Sequence, residues 1–313
     1  MTTAPFSLAQ TFMGVPHRTE IGDAKAVVLG LPFDCGTHPQ RVGSRLGPSS
    51  IREQSLLLRA FDFANGINPL DALGVVDVGD ARVGPGDLET SYAAIEAAVG
   101  AIAETRAVAI TLGGDGAIAL PEMRALHRVY PDLVTVHIDA HTDAYPIDGY
   151  NTATAFGRAA EEGLVDPTRS YQVGMRGTTM LPGVGEYGRS LGYNVIPMGE
   201  LLERGIETVF AEIRARIGDR PVYLSYDMDF FDPSVAPGVC TPTWGGATSR
   251  EGLAVLEACA GLNLVGVNIN TVSPPHDVGG MSALLAAQVT LNALNLIARQ
   301  HQSKSAANST IGA

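Results

Sequence analysis

Cysteine is scarce in this chain. There are three, Cys35, Cys240 and Cys259, an odd number without Cys-x-x-Cys spacing. This excludes a disulfide framework and a zinc ribbon. The opening "MTTAPFSLAQ" lacks a basic n-region and an apolar h-region, so no signal peptide is expected. No uninterrupted apolar run reaches membrane-spanning length. Positive charge is also short: 21 Lys and Arg stand against 33 Asp and Glu, a net charge of −12. Nucleic acid and anionic membranes repel such a surface, and neither is expected as a partner. Pro/Ser-rich linkers and internal repeats are missing as well. The expectation is a cytoplasmic protein of one domain over 1–313, with a polar tail at 300–313 that frays.

What is present is alternation. Short apolar runs at 26–31, 73–78, 107–112, 133–139, 171–175, 194–198, 222–227 and 264–269 read as strands. Most are apolar at successive positions, as in a parallel sheet buried on both faces. Helical patterns lie between them at 88–105, 117–129, 205–217, 249–260 and 281–299. Strand–helix alternation implies right-handed crossovers and an α/β fold.

One strand runs into a glycine-rich turn, "AITLGGDGAIALP" at 109–121. Gly113, Gly114 and Gly116 fit neither the dinucleotide nor the P-loop spacing, and Asp115 would repel phosphate. A tight strand-to-helix turn needing positive φ is the plain reading. Such a turn sits at the carboxyl edge of the sheet, where sites form.

Two acidic clusters follow two other strands. "HIDAHTDAY" at 137–145 places Asp139, His141 and Asp143 at spacing two, and "SYDMDFFDP" at 225–233 repeats the spacing with Asp227 and Asp229. On an extended chain such residues point to one side. Four carboxylates and one imidazole converging in a cleft cannot all stay ionised without a cation. Mostly oxygen donors with one nitrogen suit manganese, with nickel or cobalt feasible.

These residues resemble the ureohydrolase family: arginase, agmatinase and their guanidino-acid relatives. The similarity spans nearly the whole chain. It includes "GLPFDCGTHPQRVGSRLGPSSIRE" at 30–53, "GGDG" at 113–116, "DAHTD" at 139–143 and "SYDMDFFDPSVAPG" at 225–238. "TPTWGGATSRE" at 241–251 and "SPPHDVGGMSALLAA" at 273–287 complete it. The resemblance implies a three-layer α/β sandwich around a central, eight-stranded, mostly parallel sheet. It implies hydrolysis of a C–N bond in a small guanidino or biguanide-type substrate, by hydroxide held between two manganese ions. Asp139 and Asp227 would bridge the ions, Asp143 would complete the first position, and His141 and Asp229 the second.

The same resemblance exposes three departures. The first metal position also takes the histidine that ends the family's GGDH turn, and here that residue is Gly116. The family's proton-transfer histidine beyond DAHTD corresponds to Thr152. Its glutamate for the substrate guanidinium corresponds to Thr271. His137, His276 and His38 are candidate replacements, with His137 on the face of its strand that carries Asp139. Three readings follow. The chain is an auxiliary subunit, in a trimer or hexamer with a complete homologous paralogue, as in heteromeric members such as metformin hydrolase. Or it is a homomeric hydrolase with one tight metal and an unusual substrate. Or it is a pseudoenzyme with a purely binding role. With the Gly116 position lacking its imidazole, the chain would hold one ion or none.

Overall fold

The computed structural model describes residues 10–35, 39–84 and 86–311, with side chains through Ser303. Eight strands form one sheet: β1 (Ala26–Leu31), β2 (Val76–Asp80), β3 (Val108–Gly113), β4 (Val134–Ile138), β5 (Tyr171–Met175), β6 (Asn194–Pro197), β7 (Pro221–Asp227) and β8 (Asn263–Asn270). Their order is β2-β1-β3-β8-β7-β4-β5-β6, and every pairing is parallel. The eight apolar runs are these eight strands. Only the second starts more than one residue late: Leu73 ends a short helix, Pro69–Leu73, that Gly74 terminates in the left-handed region at φ 57°. A helix closed by such a cap cannot pass straight into a strand.

The expected helices are present as Leu88–Glu104, Ala119–Val129, Ile206–Ile217, Ser249–Ala258 and Met281–Ile311. The last runs through the tail expected to fray. By length and composition its stretch Met281–Ser303 could cross a membrane, but most of that stretch is buried inside the protein. That is the pattern of a core helix. Helices such as Gly47–Ser55, Ala155–Glu161 and Val184–Ser190 had no period to announce them, because two turns are too short to show one.

The sheet separates two apolar cores. Along β3, Val108, Ile110 and Leu112 face one core and Ala109 the other. Along β4, Val134, Val136 and Ile138 all face the first core. Period-two alternation therefore puts Thr135 and His137 on the opposite face. Register shows what that face carries. Thr111 pairs with Asn268, Asn268 with Ser225, Ser225 with His137, and His137 with Gln172. A row of polar side chains thus crosses five strands, and all five residues are buried.

Glu122, from helix Ala119–Val129, anchors one end of this row. Its carboxyl accepts from Thr111 Oγ1 at 2.8 Å and from Asn268 Nδ2 at 2.6 Å. Burial pushes its pKa up to about 8 against these hydrogen bonds, so the folded protein keeps the proton at neutral pH. The unfolded chain releases that proton near pH 4.5. Stability therefore falls as pH rises from that value, and the loss saturates above about 8. Glu122→Gln removes the titration while keeping the shape. In urea unfolding the variant is expected to gain on the parent as pH rises, by a few kcal/mol, to order of magnitude, at pH 8 and above. A difference independent of pH would contradict a neutral Glu122.

Candidate metal centre

The site lies where four central strands end. β3 leads into Gly113–Gly116, β8 into Thr271, β4 into Asp139, and β7 ends on Asp227. β4 and β7 are neighbours with Ile138 opposite Tyr226, so Asp139 and Asp227 leave adjacent strands side by side. This is the carboxyl edge of a parallel sheet.

The acidic residues do not converge through extended chain alone, as their spacing suggested. β4 ends at Ile138, and Asp143 sits at φ 46° in a loop. Phe156 N–H, at the start of helix Ala155–Glu161, donates to the Asp143 carbonyl at 2.9 Å. Asp227 caps a single 3-10 turn, Met228–Phe230, and accepts from Asp229 N–H at 2.7 Å. Aspartate at such positions competes for nearby backbone N–H groups, which turns the chain and gathers the carboxylates.

Two groups of donor atoms result, each with its atoms within 4.8 Å of one another: Asp139, His141 and Asp229, and His137, Asp139 and Asp143. Asp139 belongs to both. Its Oδ1 lies 3.2 Å from His141 Nδ1, and its Oδ2 lies 2.7 Å from His137 Nε2. His141 Nδ1 also lies 3.2 Å from Asp229 Oδ2. His141 Nε2 is 3.2 Å from Thr243 Oγ1, so the ring is held by one nitrogen and offers the other to the cluster. Thr241 Oγ1 donates to Asp229 Oδ2 at 3.1 Å.

The electrostatics are those of crowded anions. Burial raises Asp143, Asp227 and Asp229 above the ordinary carboxylate range, and Asp139 close by raises each further. Burial pushes Asp139 up too, but His137 and His141 more than reverse this and hold it low. Burial lowers His141, while Asp229 and Asp139 carry it well above its usual value. No hydrogen-bond donor reaches the Asp143 carboxylate among the described residues, although it is only 4% exposed. Buried carboxylates, one of them without a donor, together with two imidazoles, are a donor set that fits a divalent cation.

The three positions expected to depart from the family pattern, Gly116, Thr152 and Thr271, lie around this cluster. A Cβ at Gly116 would stand 3.0 Å from Asp143 Oδ2 and 2.8 Å from Thr152 Cγ2. Gly116 and Thr152 therefore meet beside the Asp143 carboxylate. Thr271 donates its hydroxyl to Asp227 Oδ1 and holds φ 68°, a strained value for a β-branched residue. Asp227 itself falls in neither donor group. The turn glycines do not need positive φ, contrary to the expectation: none of Gly113, Gly114 and Gly116 has it. They are needed for close approach, since a Cβ on Gly114 would come within 1.7 Å of the Phe33 carbonyl oxygen. Of the candidate replacement histidines, His137 joins the cluster and His276 does not, its Nε2 being buried without a partner elsewhere. His38 lies outside the described residues.

A cleft of about 400 Å³ opens over the cluster, lined by Arg41, His141, Asp143, Tyr145, Thr152 and Thr243 among others. Sequence reading passed over Arg41, Tyr145, Thr241 and Thr243. The two threonines lie within the block "TPTWGGATSRE", the one signal that could have found them.

Known proteins share this design. The arginase family profile matches residues 24–295. Guanidinopropionase from Pseudomonas aeruginosa is 39% identical over 297 residues, covering 94% of this chain and 93% of that protein. Mitochondrial agmatinase from Gallus gallus is 35% identical, covering 91% and 84%. The structure of proclavaminate amidino hydrolase from Streptomyces clavuligerus superposes with a TM-score of 0.89 at 34% identity, over 94% of this chain and 98% of that one. With its motifs, its eight-stranded parallel sheet and the acidic cluster at the sheet's carboxyl edge, the chain belongs to the arginase family of ureohydrolases.

Proposed function

We propose that this chain serves guanidino C–N hydrolysis as one subunit of a heteromeric hydrolase, beside a paralogue that keeps the full set of catalytic residues. The observation that carries this reading is the position of the three departures. Gly116 and Thr152 meet beside Asp143, and Thr271 is bonded to Asp227, so each expected loss falls on the cluster itself. Manganese or nickel held at the two donor groups that share Asp139, with Asp227 beside them, would supply a water of lowered pKa and Lewis-acid polarisation. The chain's own residues would do less than that chemistry needs. The Thr152 hydroxyl is no proton shuttle at neutral pH. The Thr271 hydroxyl is engaged by Asp227 and offers a guanidinium no negative charge. The chain then contributes to assembly in a ring of three or six.

The homomeric alternative is favoured by one observation: the cleft of about 400 Å³ remains open above both donor groups. The deciding experiment is release of urea or amine from guanidino acids and biguanides. It uses the chain alone with manganese or nickel, then the chain co-purified with a GGDH-containing paralogue. The expected result is silence alone and turnover in the complex. Robust metal-dependent hydrolysis by the chain alone decides for the homomeric enzyme.

A further inference from the structure

We infer that His137 supplies the nitrogen for a cation position beside Gly116, which His137, Asp139 and Asp143 build together. The inference rests on reading the acidic cluster as a metal centre, and not on any division of labour between subunits. A ring nitrogen of His137 and carboxylate oxygens of Asp139 and Asp143 lie within 4.8 Å of one another, and all three residues are buried. Ligands bonded at about 2.1 Å to one ion stand roughly 3 to 4 Å apart, so small adjustments bring these atoms onto a common ion.

Asp139 divides its oxygens between two neighbours. Oδ1 faces His141, and Oδ2 faces His137. Each half of the carboxylate thus meets one imidazole, the pattern of a bridge between two positions. Asp143 completes the second group; its carboxylate accepts from no described donor and borders the cleft. The His137 ring is fixed by Phe156, stacked at 3.8 Å between centroids and 17° between planes. The same Phe156 donates its N–H to the Asp143 carbonyl, so one residue positions both ligands.

His137 Nδ1 is buried without a partner. A ligating Nε2 leaves the ring proton on Nδ1, which then wants an acceptor. Gln172, paired with His137 on the next strand, carries an Oε1 that is also buried without a partner and does not bond Nδ1 in this arrangement. Gly116 leaves the cation position to His137. Any side chain there would first have to displace Thr152, whose Cγ2 a Cβ would meet at 2.8 Å.

Manganese is the probe. The full chain is stripped with chelator and titrated with Mn²⁺ by calorimetry, and ions are counted by elemental analysis after gel filtration. The expected result is two ions per chain. His137→Gln can still hydrogen-bond Asp139 but offers no imidazole. It is expected to lose one ion, or to weaken one binding step tenfold or more, while the other step is unchanged. If His137 only positions Asp139, glutamine keeps both steps, and that overturns the inference. A parent chain that binds one ion, with His137→Gln binding it equally well, also overturns it. Should His137→Gln fail to fold, pulsed EPR of Mn²⁺ bound to His141→Gln decides: an imidazole nitrogen coupling supports His137 as ligand, and its absence refutes it. Failure to bind Mn²⁺ at all overturns the metal reading of the whole cluster. None of these results depends on whether the chain hydrolyses anything alone.

Discussion

Asp139→Ala is expected to abolish divalent-cation binding at both donor groups, lowering Mn²⁺ affinity a hundredfold or more at each. The expectation follows from sharing. Asp139 is the one residue in both groups, with Oδ1 toward His141 and Oδ2 toward His137. Asp143→Ala and Asp229→Ala each touch one group and should each spare one ion. The fold should tolerate the loss of Asp139. Asp139 raises Asp143, Asp227 and Asp229 by repulsion, so its removal relieves three buried carboxylates while leaving His137 without its partner. These effects oppose each other, and thermal unfolding in chelator should move by a few degrees at most, about 1 kcal/mol in a chain this long. Calorimetric titration and elemental analysis check the binding. A variant that retains one tightly held ion would show that Asp139 is not the common ligand.

The second large effect is a gain. Gly116→His, Thr152→His and Thr271→Glu are each expected to leave the isolated chain silent. The three combined should raise guanidino hydrolysis by the chain alone at least a hundredfold above background. Residues that act as a unit in catalysis are strongly non-additive, and here each single change meets a neighbour shaped for the present residue. A side chain at 116 meets Thr152, and a larger residue at 271 displaces the hydroxyl that Asp227 accepts. Release of urea from guanidino acids reads the outcome. A folded triple variant that binds two ions and stays inactive would place the defect elsewhere. The cleft wall at Arg41 and Tyr145 would then be the next suspect.

Both predictions depend on the sequence and on the fold to different degrees. The eight strands were legible because a strand buried on both faces has few polar positions, and runs such as Ala26–Leu31 stand out against polar turns. The acidic residues were legible for the opposite reason: Asp139 and Asp227 are charges at the ends of apolar runs, and Asp143 and Asp229 follow them at short spacing. Gly116, Thr152 and Thr271 could be marked as departures only because the surrounding motifs were intact enough to align.

The sequence by itself determined the α/β alternation, the motifs of the arginase family and the acidic residues that follow two of the strands. It could not say which side chains meet. Strand order is a tertiary property, and the sheet places β8 and β7 between β3 and β4. That insertion brings the ends of four strands distant in sequence to one edge. It also aligns Thr111, Asn268, Ser225, His137 and Gln172 into a buried polar row that no local window contains. Strand parity put His137 on the face of Asp139, yet parity carries no distance. The 2.7 Å approach to Oδ2, the stacking on Phe156 and the turn of Asp143 to φ 46° were decided by packing. The reason is physical: side-chain chemistry and local period are written residue by residue, whereas the few ångströms that separate a ligand from a bystander are set by how buried elements fit together.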